Sequence, residues 1–240
     1  MLFNTVVSLL ATASCIAGAP LEARGVVNHD SLNPWAESVR GGGEGAGIRK
    51  FEPLLHIAHG CQPYTAVNAN GDTSGGLQDT GSSTGGCRDT GKGQTYVRAA
   101  WHKGRYGIMY AWYFPKDMPN SGVSAGAHRH DWENVVVWLN NPAVANPTVI
   151  GAAASGHGSY KKVIGLPQNQ DGRPLVEYFT NFPTNHELQF KSTVGRDYPM
   201  LDWDTMTPAA RTALQNTNFG SANVPFKDGS FTSNLDKAWI

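Results

Sequence analysis

The sequence predicts an all-β fold with peripheral helices, built as two packed sheets. A period-two pattern runs through "RYGIMYAWYF" (105–114), where the aromatics Tyr106, Tyr110 and Trp112 share one side with Ile108, and Met109, Ala111 and Tyr113 occupy the other. Further short segments, "TYVRAAW", "NVVVWL", "TVIGAAA", "RPLVEYF" and "HELQF", are each bounded by Gly, Pro, Asn or Asp. That rhythm suits packed sheets better than alternating β and α units.

The elements follow in chain order. The start, "MLFNTVVSLLATASCIAGAPLEARG", has an apolar core followed by small residues, although no basic residue precedes it. It predicts a signal peptide over 1–19, cleaved after Ala17 or Ala19, and a secreted chain. The remaining stretch, 20–240, has the length of a single well-cored domain. No later stretch approaches the roughly 20 apolar residues that span a bilayer.

"SLNPWAESVR" (31–40) predicts a short helix opening at Asn33-Pro34 and ended by Gly41, Gly42 and Gly43. Cys15 leaves with the signal peptide, so Cys61 and Cys87 remain, bracketing a Gly/Ser/Thr/Asp-rich stretch that burial alone would not order. In an oxidising compartment they predict a disulfide worth roughly 3.5 kcal/mol by loop-closure entropy. Apolar residues on both parities of "VVVWL" indicate a central strand covered on both faces. "TMTPAARTALQNTNFG" predicts the one substantial helix, with Thr207 as cap, Pro208 at the first position, Leu214 on the face of Ala210 and Gly220 as the stop.

The 19 basic and 19 acidic residues balance and are scattered, which removes the electrostatic footprint of nucleic-acid binding. The chemistry concentrates in "AHRHDWE" (127–133), just ahead of the apolar run. Asp131 and Glu133, two apart, point to one side of a strand, whereas His128 has the opposite parity. Bringing His128 to them requires irregular backbone before the strand, which Asn120-Ser121, Gly122 and Gly126 can supply.

With Asp117 from "YFPKDMP", these residues form a candidate cation site of Asp117, His128, Asp131 and Glu133. Such oxygen-rich ligation suits one Mg²⁺ or Ca²⁺ completed by water better than zinc. His130 would fix a carboxylate and Arg129 would offset acidic charge behind the ligands. The alternative is a hydrogen-bonded ion-pair cluster at a sheet end without function. His102 and His157 read as surface or core histidines, and the Tyr/Trp stripe at 106–114 as core.

The heptapeptide resembles the GHRHDWE motif of the necrosis- and ethylene-inducing peptide 1-like proteins, secreted toxins of plant-associated fungi, oomycetes and bacteria. "HGCQPYTAVNANGDTSGGL", "GIMYAWYFPKD", "VVVWL" and "ARTALQNTNFGSANVPFKD" are similar to blocks of that family in the same order, so the resemblance covers nearly all of the mature chain. It implies a β-sandwich similar to actinoporin-type cytolysins and the family's type 1.

It further implies one divalent cation at an acidic cavity, and damage to plant plasma membranes through sphingolipid headgroups. By motif position the ligands are Asp117, His128, Asp131 and Glu133. His186, in "TNHEL", corresponds to a headgroup-contacting histidine, and Phe182 stands about where the family has tryptophan. Ala127 replaces the motif's first glycine, and the loop from Asp117 to His128 is longer than the family pattern. Segments like "GIMYAWYFPKD" through "HRHDWE" are recognised by plant immune receptors in this family.

The rival readings are a non-lytic lectin and a metal-dependent hydrolase or cupin-like oxidoreductase. His130 and Glu133 stand closer than cupin spacing, and GxSxG is absent, so no enzyme is expected.

Overall fold

The computed structural model describes residues 25–122, 125–181 and 184–240; the expected signal peptide and Phe182 lie outside the described residues. In chain order the elements are β1 (Val26–Val27), α1 (Gly42–Lys50), β2 (Leu54–Ile57), β3 (Thr73–Ser74), β4 (Thr95–His102), β5 (Arg105–Asp117) and β6 (His128–Leu139). There follow β7 (Val149–Gly156), β8 (Ser159–Ile164), β9 (Asn169–Gln170), β10 (Arg173–Thr180), β11 (His186–Phe190), β12 (Met200–Asp202), α2 (Pro208–Asn216) and α3 (Asp228–Lys237).

Two sheets carry the fold. One has six strands in the order β12-β4-β5-β6-β7-β8; the other has β11-β10-β2, with β9 beside β10. The all-β expectation with peripheral helices holds, because each alternating segment found a hydrogen-bonded neighbour that buries its apolar parity.

β5 and β6 form the centre, and β5 is buried from Tyr106 to Asp117. On the even-numbered side of β5, Phe114 stacks on Tyr178 of the smaller sheet at 3.9 Å, and Tyr110 donates from its hydroxyl to the Ile48 carbonyl of α1. On the odd-numbered side, Tyr113 packs on Phe219. Trp138 of β6, opposite Gly107, donates its indole N–H to the Ala238 carbonyl. Covering both faces requires apolar residues on both parities, as "VVVWL" indicated.

The helix expected over 31–40 does not form, because distant groups hold that stretch extended. The Trp35 amide donates to Gln94 Oε1, the Ser38 amide to the Met200 carbonyl, and Arg40 is clamped on buried Asp202. The glycine run instead starts α1. There a Cβ on Gly45 would lie 1.7 Å from the Arg40 carbonyl oxygen, so close packing selects glycine where intrinsic propensity opposes it.

The helix after Thr207 is present, with the Thr207 hydroxyl accepting from the Ala210 amide. It ends at Asn216, four residues before Gly220, whose φ of +67° serves a later turn. It is one of three α-helices among the described residues, not the single one expected. α3 has few apolar residues, and Phe231 and Leu235 anchor it.

Candidate functional site

Cys61 and Cys87 are joined as a disulfide. It fastens the loop that runs beside the end of the sandwich where β5 finishes and β6 begins. There the chain sets Asp117, the last residue of β5, opposite His128, the first of β6.

Asp131 follows three residues later, and His128 reaches its side of the strand because His130 takes a left-handed conformation, φ +64°. The irregularity expected in the loop therefore sits inside the strand. Such a backbone is costly for a residue other than glycine and occurs where the surroundings fix it. Here the His130 ring is bonded to the Tyr113 hydroxyl at 2.7 Å and packs edge-on against Phe219.

Donor atoms of Asp117, His128 and Asp131 all lie within 4.8 Å of one another. His128 Nδ1 lies 2.6 Å from the His130 carbonyl, to which it donates, so Nε2 keeps its lone pair facing Asn185 at 2.8 Å. A ring N–H pinned to a carbonyl with the other nitrogen left as acceptor is the usual posture of a metal-binding imidazole.

Asp117 is 1% exposed and accepts from the His186 ring at 2.5 Å and from the His186 amide at 3.1 Å. Asp131 accepts from the Tyr178 hydroxyl at 3.0 Å. Burial, and then the neighbouring Asp117 charge, push the Asp131 carboxyl up to about 6. Two buried carboxylates this close repel one another, a divalent cation would neutralise them, and the three donors are of the kind that could hold one.

Three of the four expected ligands converge. Glu133 stands apart, since its carboxylate accepts from the Ser155 hydroxyl and does not join the three-donor group. Burial first, and then Asp131, raise it well above the usual carboxylate range. It lines the same cavity, about 380 Å³, with His128, Asp131, His157, Asn185 and Lys237.

The supporting roles expected of Arg129 and His130 are corrected. Arg129 points the other way and donates to the Gly75 carbonyl at 2.9 Å. His130 touches no carboxylate; burial, and then Arg129, lower it to about 4, so it is a neutral member of the core. His186 is also placed differently from a surface contact. It is 2% exposed, stacked on Tyr178 at 4.6 Å, with Nε2 beside the Thr180 hydroxyl and Nδ1 on Asp117. In this arrangement it holds Asp117.

Sequence reasoning missed Tyr178, Asn185 and Ser155, which carry no motif, and set aside His157. That ring sits at the cavity rim, bonded to Thr184 at 2.9 Å, on a residue with φ +49° in "SGHGSY".

The Asp131 shift gives a pH dependence. A carboxyl whose folded value is raised from 3.8 to about 6 keeps its proton more tightly when folded, so ionisation costs stability. Without metal, the protein is expected to melt at a lower temperature at pH 7 than at pH 4.5. Saturating cation should flatten or reverse that slope, and calorimetry in chelator and in Mg²⁺ or Ca²⁺ reads both.

Taken together, the features are those of a disulfide-stapled, two-sheet β protein with an acidic, sugar-sized cavity at one end of the sandwich. A family model described as Necrosis inducing protein (NPP1) matches residues 46–238. The chain is 46% identical over 219 residues to NLP effector protein 10 of Phytophthora capsici, covering 89% of this chain and 92% of the relative.

It superposes on the solved structure of NLPPya in complex with mannosamine with a TM-score of 0.83 at 43% identity, covering 90% and 100% of the two chains. The non-toxic HaNLP3 protein matches with a TM-score of 0.83 at 40% identity, covering 88% and 98%. The chain belongs to the necrosis-inducing protein (NPP1) family, as the heptapeptide and its flanking blocks implied.

Proposed function

We propose that this chain is a secreted necrosis-inducing toxin that docks on sugar headgroups of plant plasma-membrane sphingolipids through a divalent cation, Mg²⁺ or Ca²⁺. It acts by binding and leakage, without bond cleavage. The observation that carries the reading is the convergence of Asp117, His128 and Asp131 beside a cavity of about 380 Å³, with the His128 tautomer set for ligation.

The cation would be held by those three side chains, and Glu133 would reach it through water. His186 and Tyr178 orient the two aspartates. When bound, the cation supplies neutralising charge and open positions that a sugar hydroxyl can enter. Phe182 remains the proposed interfacial side chain that enters the lipid boundary. The mannosamine complex of a relative supports an amino-sugar-sized ligand. Recognition of the 108–133 segment by plant immune receptors would be a separate activity that needs no lysis.

The test is dye release from vesicles containing plant sphingolipids. Cation-dependent leakage, abolished by chelator and without lipid cleavage products, is expected. Cleavage products would overturn the reading in favour of a hydrolase. The non-toxic relative of the same fold supports a second reading, a glycan binder or elicitor without lysis; cation-dependent binding without leakage would select it.

A further inference from the structure

His186 separates two cavities of opposite chemistry. On its far side from Asp131 lies a groove of about 780 Å³, lined by His59, Ser83, Thr84, Arg88, Asn120 and Ser121, with Gly60 and Thr180 forming the wall against His186. A Cβ on Gly60, whose φ is +74°, would come within 2.6 Å of His186 Nε2, so the two sites share a partition one side chain thick.

The groove is rich in donors. Arg88, which lines the groove, donates from one guanidinium nitrogen to the Gly60 carbonyl at 3.1 Å and has further N–H donors on the same planar fork. The Thr180 amide donates to His59 Nδ1 at 3.2 Å, so that nitrogen is an acceptor and the ring carries its proton on Nε2. Ser83 and Ser121 contribute hydroxyls 3.2 Å apart. Lys116 lies beneath the same loop, donating to the Ser82 carbonyl at 2.7 Å, with Asp79 as its carboxylate neighbour.

Among the described residues no Asp or Glu lines the groove, whereas Asp131 and Glu133 line the cavity beyond the partition. The disulfide fixes both walls, since Cys61 adjoins His59-Gly60 and Cys87 adjoins Arg88.

We infer that this groove is an oxyanion subsite, taking a phosphate group carried by a sugar, with Arg88 and His59 as its principal donors. Guanidinium, imidazole N–H and clustered hydroxyls without carboxylates match a tetrahedral oxyanion, and a polyhydroxyl body fits the remaining volume. The phosphate belongs either to a lipid headgroup or to a soluble sugar phosphate. The subsite deepens the docking reading above, but its binding needs no cation and is testable in chelator, where failure of that reading has no effect.

The experiment is calorimetric titration of the full chain in EDTA with glucose 1-phosphate and with glucose. Vesicles of phosphatidylcholine, with and without phosphatidylinositol, form the lipid arm. Glucose 1-phosphate is expected to bind more tightly than glucose, with affinity about tenfold weaker in Arg88→Gln and partly restored in Arg88→Lys.

His59→Gln provides a second variant that leaves the Arg88–Gly60 contact in place. Retention on phosphatidylinositol vesicles that Arg88→Gln abolishes assigns the lipid source; binding of the free sugar phosphate alone assigns the soluble one. Equal affinity for glucose and its phosphate, or affinity unmoved by both substitutions in variants with wild-type near-UV dichroism, overturns the inference.

Discussion

In chelator at pH 7.5, Asp131→Asn protein is expected to unfold at a higher temperature than the wild type and to gain nothing from added Mg²⁺ or Ca²⁺. The two effects have opposite signs because one carboxylate serves both. Without a cation it is a buried charge facing Asp117, held up to about 6, and replacing it with an isosteric amide relieves a cost on the order of 2 kcal/mol. The amide can still accept from the Tyr178 hydroxyl, so packing is retained.

With a cation present, the wild type should gain about 2.7 kcal/mol at a hundredfold excess over Kd, and the variant should lose that response together with vesicle leakage. Glu133→Gln is expected to weaken the response without abolishing it, because that carboxylate lies outside the converging group. A folded Asp131→Asn protein with wild-type metal stabilisation and full lysis would remove the cation from the mechanism.

Replacing both Cys61 and Cys87 with serine is expected to cost roughly 3.5 kcal/mol, a large part of a typical domain's stability. The stretch they close spans 26 positions of mostly Gly, Ser, Thr and Asp. Tyr64, Ala66 and Val67 pack its first part into the core, so the loss is expected to come chiefly from the freedom that the unfolded chain gains without the crosslink. Urea denaturation monitored by tryptophan fluorescence reads the loss as a lower midpoint. A change below about 1 kcal/mol would mean that local bonds hold the loop without the crosslink. Those bonds include the Gln62 amide on the Cys87 carbonyl and Arg88 on Gly60.

How much could be read in advance varied by element, for physical reasons. β5 and β6 were legible because period-two alternation and two-sided burial leave a mark on every residue, and α2 because Thr207 and Pro208 announce its start. The segment 31–40 misled, because its local helix signals were outweighed by hydrogen bonds to residues far along the chain.

At the site, carboxylates at 131 and 133 and the imidazole at 128 were visible as a cluster of residue types. Local pattern assigned them as equals and enlisted Arg129 and His130 behind them. Neither the turn at His130 that brings His128 round nor the Ser155 hydroxyl that takes Glu133 aside is encoded within the motif.

The sequence by itself determined the family, the β class and the disulfide pair, because alternation, cysteine count and motif are properties of neighbours along the chain; for the site it offered four candidate donors. Tertiary structure alone decided which donors meet, that His186 lies behind Asp117, and that a second groove lies next to His186 across Gly60 and Thr180. Those outcomes depend on distances between strands of different sheets, and such distances are set only when the two apolar faces close on each other.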